Sequence, residues 1–309
     1  MNARQIAARL VFAAALCGVF AYWIKGGIIP GKLEPPGPPG PTMKTLDEVE
    51  PRIPIPASAA ATSTFVIDKP GSYYLTGNRY ANGDGIRVEA NDVTIDLKGY
   101  NLVYSPGVPE TGPAYGIRIL NRRNVEICNG TIKKFPTNGI DEQDGVGHRI
   151  INLRVLANGG HGIVLGGTGF LVKDCTAADN GAFGIYAHWN STVTGNLAYN
   201  NQDGIDTGGR CTVTGNTSYG NRMVGIYAGA GSTVIGNTAC NSSGTGISVG
   251  GGSTVIGNTA RNNQHYGIAL GADGNCLVDQ NTAYYNNLAG GTANMSACPS
   301  CTFGTNHAP

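Results

Sequence analysis

Apolar and polar residues alternate along most of this chain in short bursts. Segments such as "STV", "GISV" and "GIAL" set apolar side chains between small or polar ones, the period-two pattern of a half-buried strand. The bursts recur at a fixed interval. The phrase "STVIGNTA" stands at residues 232–239 and again at 253–260. Gly-Ile pairs begin at Gly85, Gly116, Gly139, Gly162, Gly184, Gly204, Gly225, Gly246 and Gly267, the last six spaced 22, 20, 21, 21 and 21 residues apart. In step with them, Val172, Val193, Val213, Val234, Val255 and Val278 each precede by three residues Cys175, Asn196, Asn216, Asn237, Asn258 and Asn281. A unit of this size with two or three short strands cannot bury an apolar face alone, whereas stacked units can.

The spacing therefore predicts an all-β solenoid. Leucine is too scarce for a leucine-rich repeat, and the strict hexapeptide period of a left-handed β-helix is missing. A right-handed parallel β-helix of about nine to ten coils, with 20–23 residues per regular coil, fits the pattern. Coils about 4.8 Å apart would place each residue on its counterpart one coil away. Columns then acquire meaning: a ladder of asparagines at a bend (Asn196, Asn216, Asn237, Asn258, Asn281), an inward column of small residues (Ala177, Ala198, Ser218, Ala239, Ala260, Ala283), and a further column through Phe170, Ser191, Cys211, Ser232, Ser253 and Cys276. A fourth, outward column, Tyr199, Tyr219, Cys240, Arg261 and Tyr284, runs beside the ladder. The glycine before each isoleucine marks a turn or a close approach of backbones.

Composition supports strands and turns. Forty-eight glycines and 13% charged residues disfavour long helices, since glycine costs about 1 kcal/mol per helical position relative to alanine. A net charge of +1 with no basic run gives no electrostatic footprint for nucleic acid. Residues 1–29 have a different character: Arg4 and Arg9 precede an apolar stretch from Leu10 to Ile24, the layout of a signal peptide, or of a membrane anchor if uncleaved. That places the protein outside the cytoplasm: periplasmic, extracellular or on the cell surface. A proline-rich linker follows over 30–56, then the β-helix over 57–291, with "FVIDKPGSYYLTGN" as a strand, turn and strand capping its N-terminal end, and a C-terminal tail over 292–309. Cys128 and Cys175 fall at similar ladder positions two coils apart, and Cys211 and Cys276 three coils apart in one column, too far for disulfides. Only Cys298 and Cys301 in "CPSC" are near enough to bond or, with His307, to ligate a metal; one CxxC lacks the second pair of a zinc site, so no metal site is assigned.

The alternation of G-I, S-T-V-x-G-N-x-A and N-N-x-x-G-I resembles the right-handed parallel β-helix repeat family of the pectate-lyase-like superfamily, with the NosD-like carbohydrate-binding and sugar-hydrolysis modules nearest in style. The resemblance spans roughly residues 82–291 and implies the fold. It does not imply one reaction, because members include lyases, hydrolases, epimerases and tailspikes as well as proteins without known activity. Polygalacturonases of this superfamily carry N-T-D, D-D, G-H-G and R-I-K segments in that order. Here Gly160-His161-Gly162 precedes the Asn201–Asp206 segment and no R-I-K follows, so the order is reversed. The D-P-H-D motif of epimerases is missing too. Calcium is compatible with such a fold, but no motif here supports it, and no cofactor is evident.

The remaining signal is a surface column. The second residue after each rung glycine faces outward: Arg87, Arg118, Asp141, Val164, Tyr186, Asp206, Tyr227, Ser248 and Ala269. Tyr186, Asp206 and Tyr227 are then neighbours, with Asp203, His188, Trp189 and His161 on the same or adjoining coils. Aromatic faces beside carboxylates suit a sugar-binding groove. The leading expectation is recognition of a polysaccharide through Tyr186, Trp189, Tyr227 and Asp141. An enzyme alternative, glycoside hydrolase or lyase, casts Asp203 and Asp206 as acid and base with His161 or His188. A third alternative is a structural or adhesion module, for which these alignments follow from the repeat alone. Oligomeric state is left open.

Overall fold

The computed structural model describes residues 51–106, 112–287 and 294–309. The leader at 1–29 and most of the linker at 30–56 lie outside the described residues. Thirty strands and no helix are present among them, and the strand pairings are parallel, coil upon coil. The result is a parallel β-solenoid of about 11 turns, close to the nine to ten expected.

Each regular coil contributes three short strands. The first strip is a ten-stranded sheet built on the Gly-Ile pairs, running from Phe65–Ile67 to Ile268–Leu270. The second contains the S-T-V strands, such as Thr192–Thr194 and Thr233–Ile235, and the third the N-x-A strands, such as Leu197–Tyr199 and Thr238–Cys240. The repeated phrase stacks on itself without offset: Thr233 pairs with Thr254, Val234 with Val255 and Ala239 with Ala260. The isoleucines of the first strip, the valines of the second and the alanines of the third close a narrow core, with Ile205, Val213 and Ala198 all fully buried.

Two of the corners are made by a left-handed residue followed by a buried asparagine in many coils. At the corner between the second and third strips, Gly195, Gly215, Gly236 and Gly257 take φ of 62–67°, a region glycine enters without penalty. The asparagines after them form the expected ladder. Asn216 Oδ1 accepts the Asn196 backbone N–H at 2.9 Å, while Asn216 Nδ2 donates to the Val193 carbonyl at 2.8 Å. Backbone groups that the strands leave unpaired at the bend are thereby satisfied.

A second ladder occupies the next corner and was not anticipated. The backbone N–H groups of Asn158, Asn180 and Asn201 donate to Oδ1 of Asn180, Asn201 and Asn221 at 3.1, 3.0 and 2.9 Å. Its sequence signal is the asparagine three or four residues before each of these Gly-Ile pairs. The rung glycines themselves are sites of close approach: a Cβ on any of the eight from Gly85 to Gly246 would come within 3.0 Å of the next rung glycine's carbonyl oxygen.

Several expectations change. Cys128 aligns with Ile151 and Lys173, two positions away from the column of Cys175, which Gly130 and Leu153 occupy in the coils before. Cys211 and Cys276 do share a column, with Ser232 and Ser253 between them. The "FVIDKPGSYYL" segment is the expected strand, turn and strand, and its strands Phe65–Ile67 and Gly71–Leu75 each pair parallel with the following coil. Pairing begins earlier still, at Ile53–Ile55 against Tyr73–Leu75. At the other end Thr302–Phe303 pairs with Leu277–Val278, and Cys298 is bonded to Cys301.

Candidate functional site

The first strip presents the predicted outward column intact. Arg118 aligns with Asp141, Asp141 with Val164, Val164 with Tyr186, Tyr186 with Asp206 and Asp206 with Tyr227. The register that stacks the core isoleucines beneath sets these side chains one above another.

Aromatic rings form a continuous row across this face. His161 stacks on Phe183 with centroids 4.9 Å apart, Phe183 on Tyr186 at 5.7 Å, and Tyr186 on His188 at 5.9 Å. Trp189 meets His188 edge-on at 5.5 Å, and the Arg210 guanidinium lies 5.9 Å over the Trp189 ring. Trp189 and Tyr227 are the most exposed of the predicted contacts, at 43% and 38%. Phe183 and Arg210 were not among the predicted residues. Phe183 occupies the variable slot before a rung glycine, the slot His161 fills one coil earlier and Asp203 one coil later.

The titratable groups are held in distinct states. Burial, and then the neighbouring Asp203, pushes the Asp206 carboxyl up to about 7. Asp203 Oδ1 accepts the Val224 N–H at 2.8 Å. Burial also raises the Tyr186 phenol, with smaller contributions from Asp206 and Cys211. Burial lowers the His161 imidazole, against an upward pull from Asp141. Its Nδ1 accepts the Phe183 N–H at 3.1 Å, so neutral His161 carries its hydrogen on Nε2. His188 is the opposite tautomer: Nδ1 faces the Gly166 carbonyl at 2.8 Å, which can only accept, leaving Nε2 as the basic nitrogen.

Asp141 is the exception among the predicted contacts. It stands in the column but is only 5% exposed, with Oδ1 taken by Asn138 Nδ2 at 2.7 Å. Asn138 Oδ1 in turn accepts the His161 backbone N–H at 2.8 Å. Asp141 therefore orients the segment that carries His161 and is not available as an exposed sugar contact. The structure brings together Tyr186, His188, Trp189, Asp203, Asp206, Tyr227 and His161 on one face.

Repeat, register and corner ladders make this a parallel β-helix, a solenoid of stacked coils. Two family models match it, "Right handed beta helix region" over residues 65–218 and "Periplasmic copper-binding protein (NosD)" over residues 166–306. No curated protein matches the chain. Among solved structures, it is similar to the A-module of the mannuronan C-5 epimerase AlgE6 of Azotobacter vinelandii, at 16% identity and a TM-score of 0.54, covering 83% of this chain and 88% of that one. Pectate lyase Pel9A aligns at 15% identity and a TM-score of 0.51, covering 82% of this chain and 68% of that one. ORF18 of Geobacillus virus E2 aligns at 14% identity and 0.51, covering 82% of this chain and 52% of that one. At such identities the likeness is one of fold.

Proposed function

We infer that this protein recognises a polysaccharide laid along the first strip, across the coils from His161 to Tyr227. The observation that carries this reading is the unbroken ring row from His161 through Phe183, Tyr186 and His188 to Trp189, flanked by Asp206. Stacked on one another, these rings line the strip with apolar edges, the exposed Trp189 and Tyr227 add apolar surface for sugar C–H groups, and carboxylates accept hydroxyl hydrogen bonds. Two proteins of the same fold are named for action on polysaccharides, a mannuronan epimerase and a pectate lyase. Their names support the class of ligand and not the identity of the glycan. The periplasmic description of the NosD model and the charged, apolar leader support export.

Copper, named in that description, finds no donor set among the described residues: no group of three or more His, Cys, Asp or Glu there is arranged to hold a metal ion, and the free cysteines Cys175, Cys211, Cys240 and Cys276 are buried.

Turnover is a second reading, favoured by Asp206. A carboxyl titrating near 7 beside a second carboxylate is the pairing that proton transfer to or from a glycosidic substrate needs. In that reading Asp206 is the proton donor and His188 Nε2 a base on the same face.

The test is binding and turnover by the protein freed of residues 1–29, on acidic and neutral polysaccharides, following affinity, reducing ends and unsaturated uronates together. Binding lost in Tyr186→Ala with Tyr227→Ala supports recognition. Product lost in Asp206→Asn with binding retained supports turnover. An unaltered double tyrosine variant, or no binding to any glycan, leaves the face as a structural or adhesive surface.

A further inference from the structure

The corner between the second and third strips differs along the solenoid. In the four coils that begin at Thr192 its left-handed residue is a glycine, at Gly195, Gly215, Gly236 and Gly257, and in the coil after them it is Gln280. In the three coils before, it is Asn129, Asn152 and Asp174, with φ of 59°, 52° and 54°. Where the glycine corners have no side chain to present, these three stand as walls. With Arg154 and Thr176, and over a floor of buried Leu153, they line a cavity of about 300 Å³. That is the lower end of the range for small-ligand sites.

The polar groups there are ordered in advance. Asn129 Nδ2 donates to Asp96 Oδ1 at 3.2 Å, and Asn152 Nδ2 donates to Asn129 Oδ1 at 3.0 Å. This one-way amide chain leaves Asn152 Oδ1 as an acceptor at its end. Arg154 Nε donates to Thr131 Oγ1 at 3.0 Å, and Thr131 is itself buried. One edge of this exposed guanidinium is thereby tied to the coil, and its two terminal nitrogens remain as a donor fork. Asp174 supplies a carboxylate, with Lys173 Nζ 3.7 Å away. A donor fork, a carboxylate, an amide carbonyl and a hydroxyl around one small space match the adjacent hydroxyls of a sugar ring, each of which donates and accepts. The Cβ position of Gly99, also on the lining, meets nothing within 4 Å, which keeps one side of the cavity open.

We propose that this cavity binds a single hydroxyl-rich sugar unit, at a site separate from the aromatic face. Free monosaccharide and a terminal or branch residue of a glycan present the same hydroxyls, and the site reads those alone. It stands whether or not the aromatic face binds a polymer.

The experiment is NMR of the side-chain amides of Asn129 and Asn152 in the chain from residue 51 on, which holds every described coil, titrated with D-galactose, D-mannose, D-glucose and D-galacturonate. A saturable shift of the Asn152 amide pair with at least one sugar is expected, weakened about tenfold or more in Arg154→Ala and in Asp174→Ala, since each removes a charged hydrogen-bonding partner. Tyr186→Ala with Tyr227→Ala leaves it unchanged, which separates this site from the groove. If Asp174→Ala does not fold, Asp174→Asn keeps a side chain suited to the left-handed bend and removes only the charge. The absence of a saturable shift with all four sugars, or a shift that survives the Arg154 and Asp174 variants, overturns the proposal. A response to galacturonate alone that tracks ionic strength and not hydroxyl stereochemistry also overturns it, as simple pairing with Arg154.

Discussion

Single side chains inside this solenoid carry consequences that their sequence neighbours do not. His148 is fully buried, accepts the Val125 N–H through Nδ1 at 3.0 Å and stacks on Phe170 at 5.5 Å. Burial lowers its imidazole to about 4. Because the folded value lies below the unfolded one, the unfolded chain binds the extra proton first, and stability is full above about pH 6.5 and lost as pH falls toward 4. Urea melts at pH 7 and pH 4.5 should differ by roughly 2–3 kcal/mol from this group, and His148→Phe, which matches Phe170 in the same column, should flatten that difference. Glu142, also buried and accepting the Gly145 N–H, is raised by burial and acts in the opposite sense as pH rises, so the comparison between the two proteins isolates the histidine. None of this was legible in the sequence. A lone histidine or glutamate in a variable slot reads the same whether it faces the core or water, and Asp141 was misplaced for the same reason: its column is outward, but Asn138 closes over it.

At the scale of the coil, legibility was high wherever the repeat was regular. The Gly-Ile rungs, the valine column and the first asparagine ladder all follow from a 21-residue spacing, because a parallel register converts equal spacing into contact. The ladder's contribution can be measured at Asn237. Its Oδ1 accepts the Asn216 N–H at 2.9 Å and its Nδ2 donates to the Val213 carbonyl at 2.8 Å. Asn237→Ala strands both backbone groups in the interior, at a cost of about 2–4 kcal/mol, read as a lower urea midpoint with an unchanged slope. Where the spacing broke, the reading stopped short. Ile53–Ile55 has Pro54 at its centre and reads as linker, yet it pairs with Tyr73–Leu75, and among the described residues it is the first strand, an edge position where a proline is tolerated. Asn306 completes the ladder by accepting the Asn281 N–H at 3.0 Å, but it stands 25 residues on, beyond "CPSC", where the ruler no longer applied.

For the whole molecule, the groove is a line of positions and not a pocket. Val164, Tyr186, Asp206 and Tyr227 mark successive coils, so across the coils from His161 to Tyr227 the strip runs about 14 Å at about 4.8 Å per coil. Affinity for a matching oligosaccharide should therefore rise with each added unit until the ligand spans that distance and then level off. Calorimetry on a size series checks this, and affinity independent of length beyond one or two units would point to a single subsite.

The self-stacking of "STVIGNTA" has a last consequence, for the chain's own editing. Because Thr233–Ala239 and Thr254–Ala260 are the same sequence in the same register, excising residues 233–253 rejoins Ser232 to Thr254 through an unaltered local sequence. Every ladder asparagine would still find a partner, and the aromatic row upstream would not notice. Such a protein, one coil shorter, should fold cooperatively and keep its ligand, with only a modest drop in melting temperature. The coil is thus a unit of insertion and deletion as well as of structure, a link that can be taken out or copied while the first described strand and the disulfide-closed last turn stay as they are.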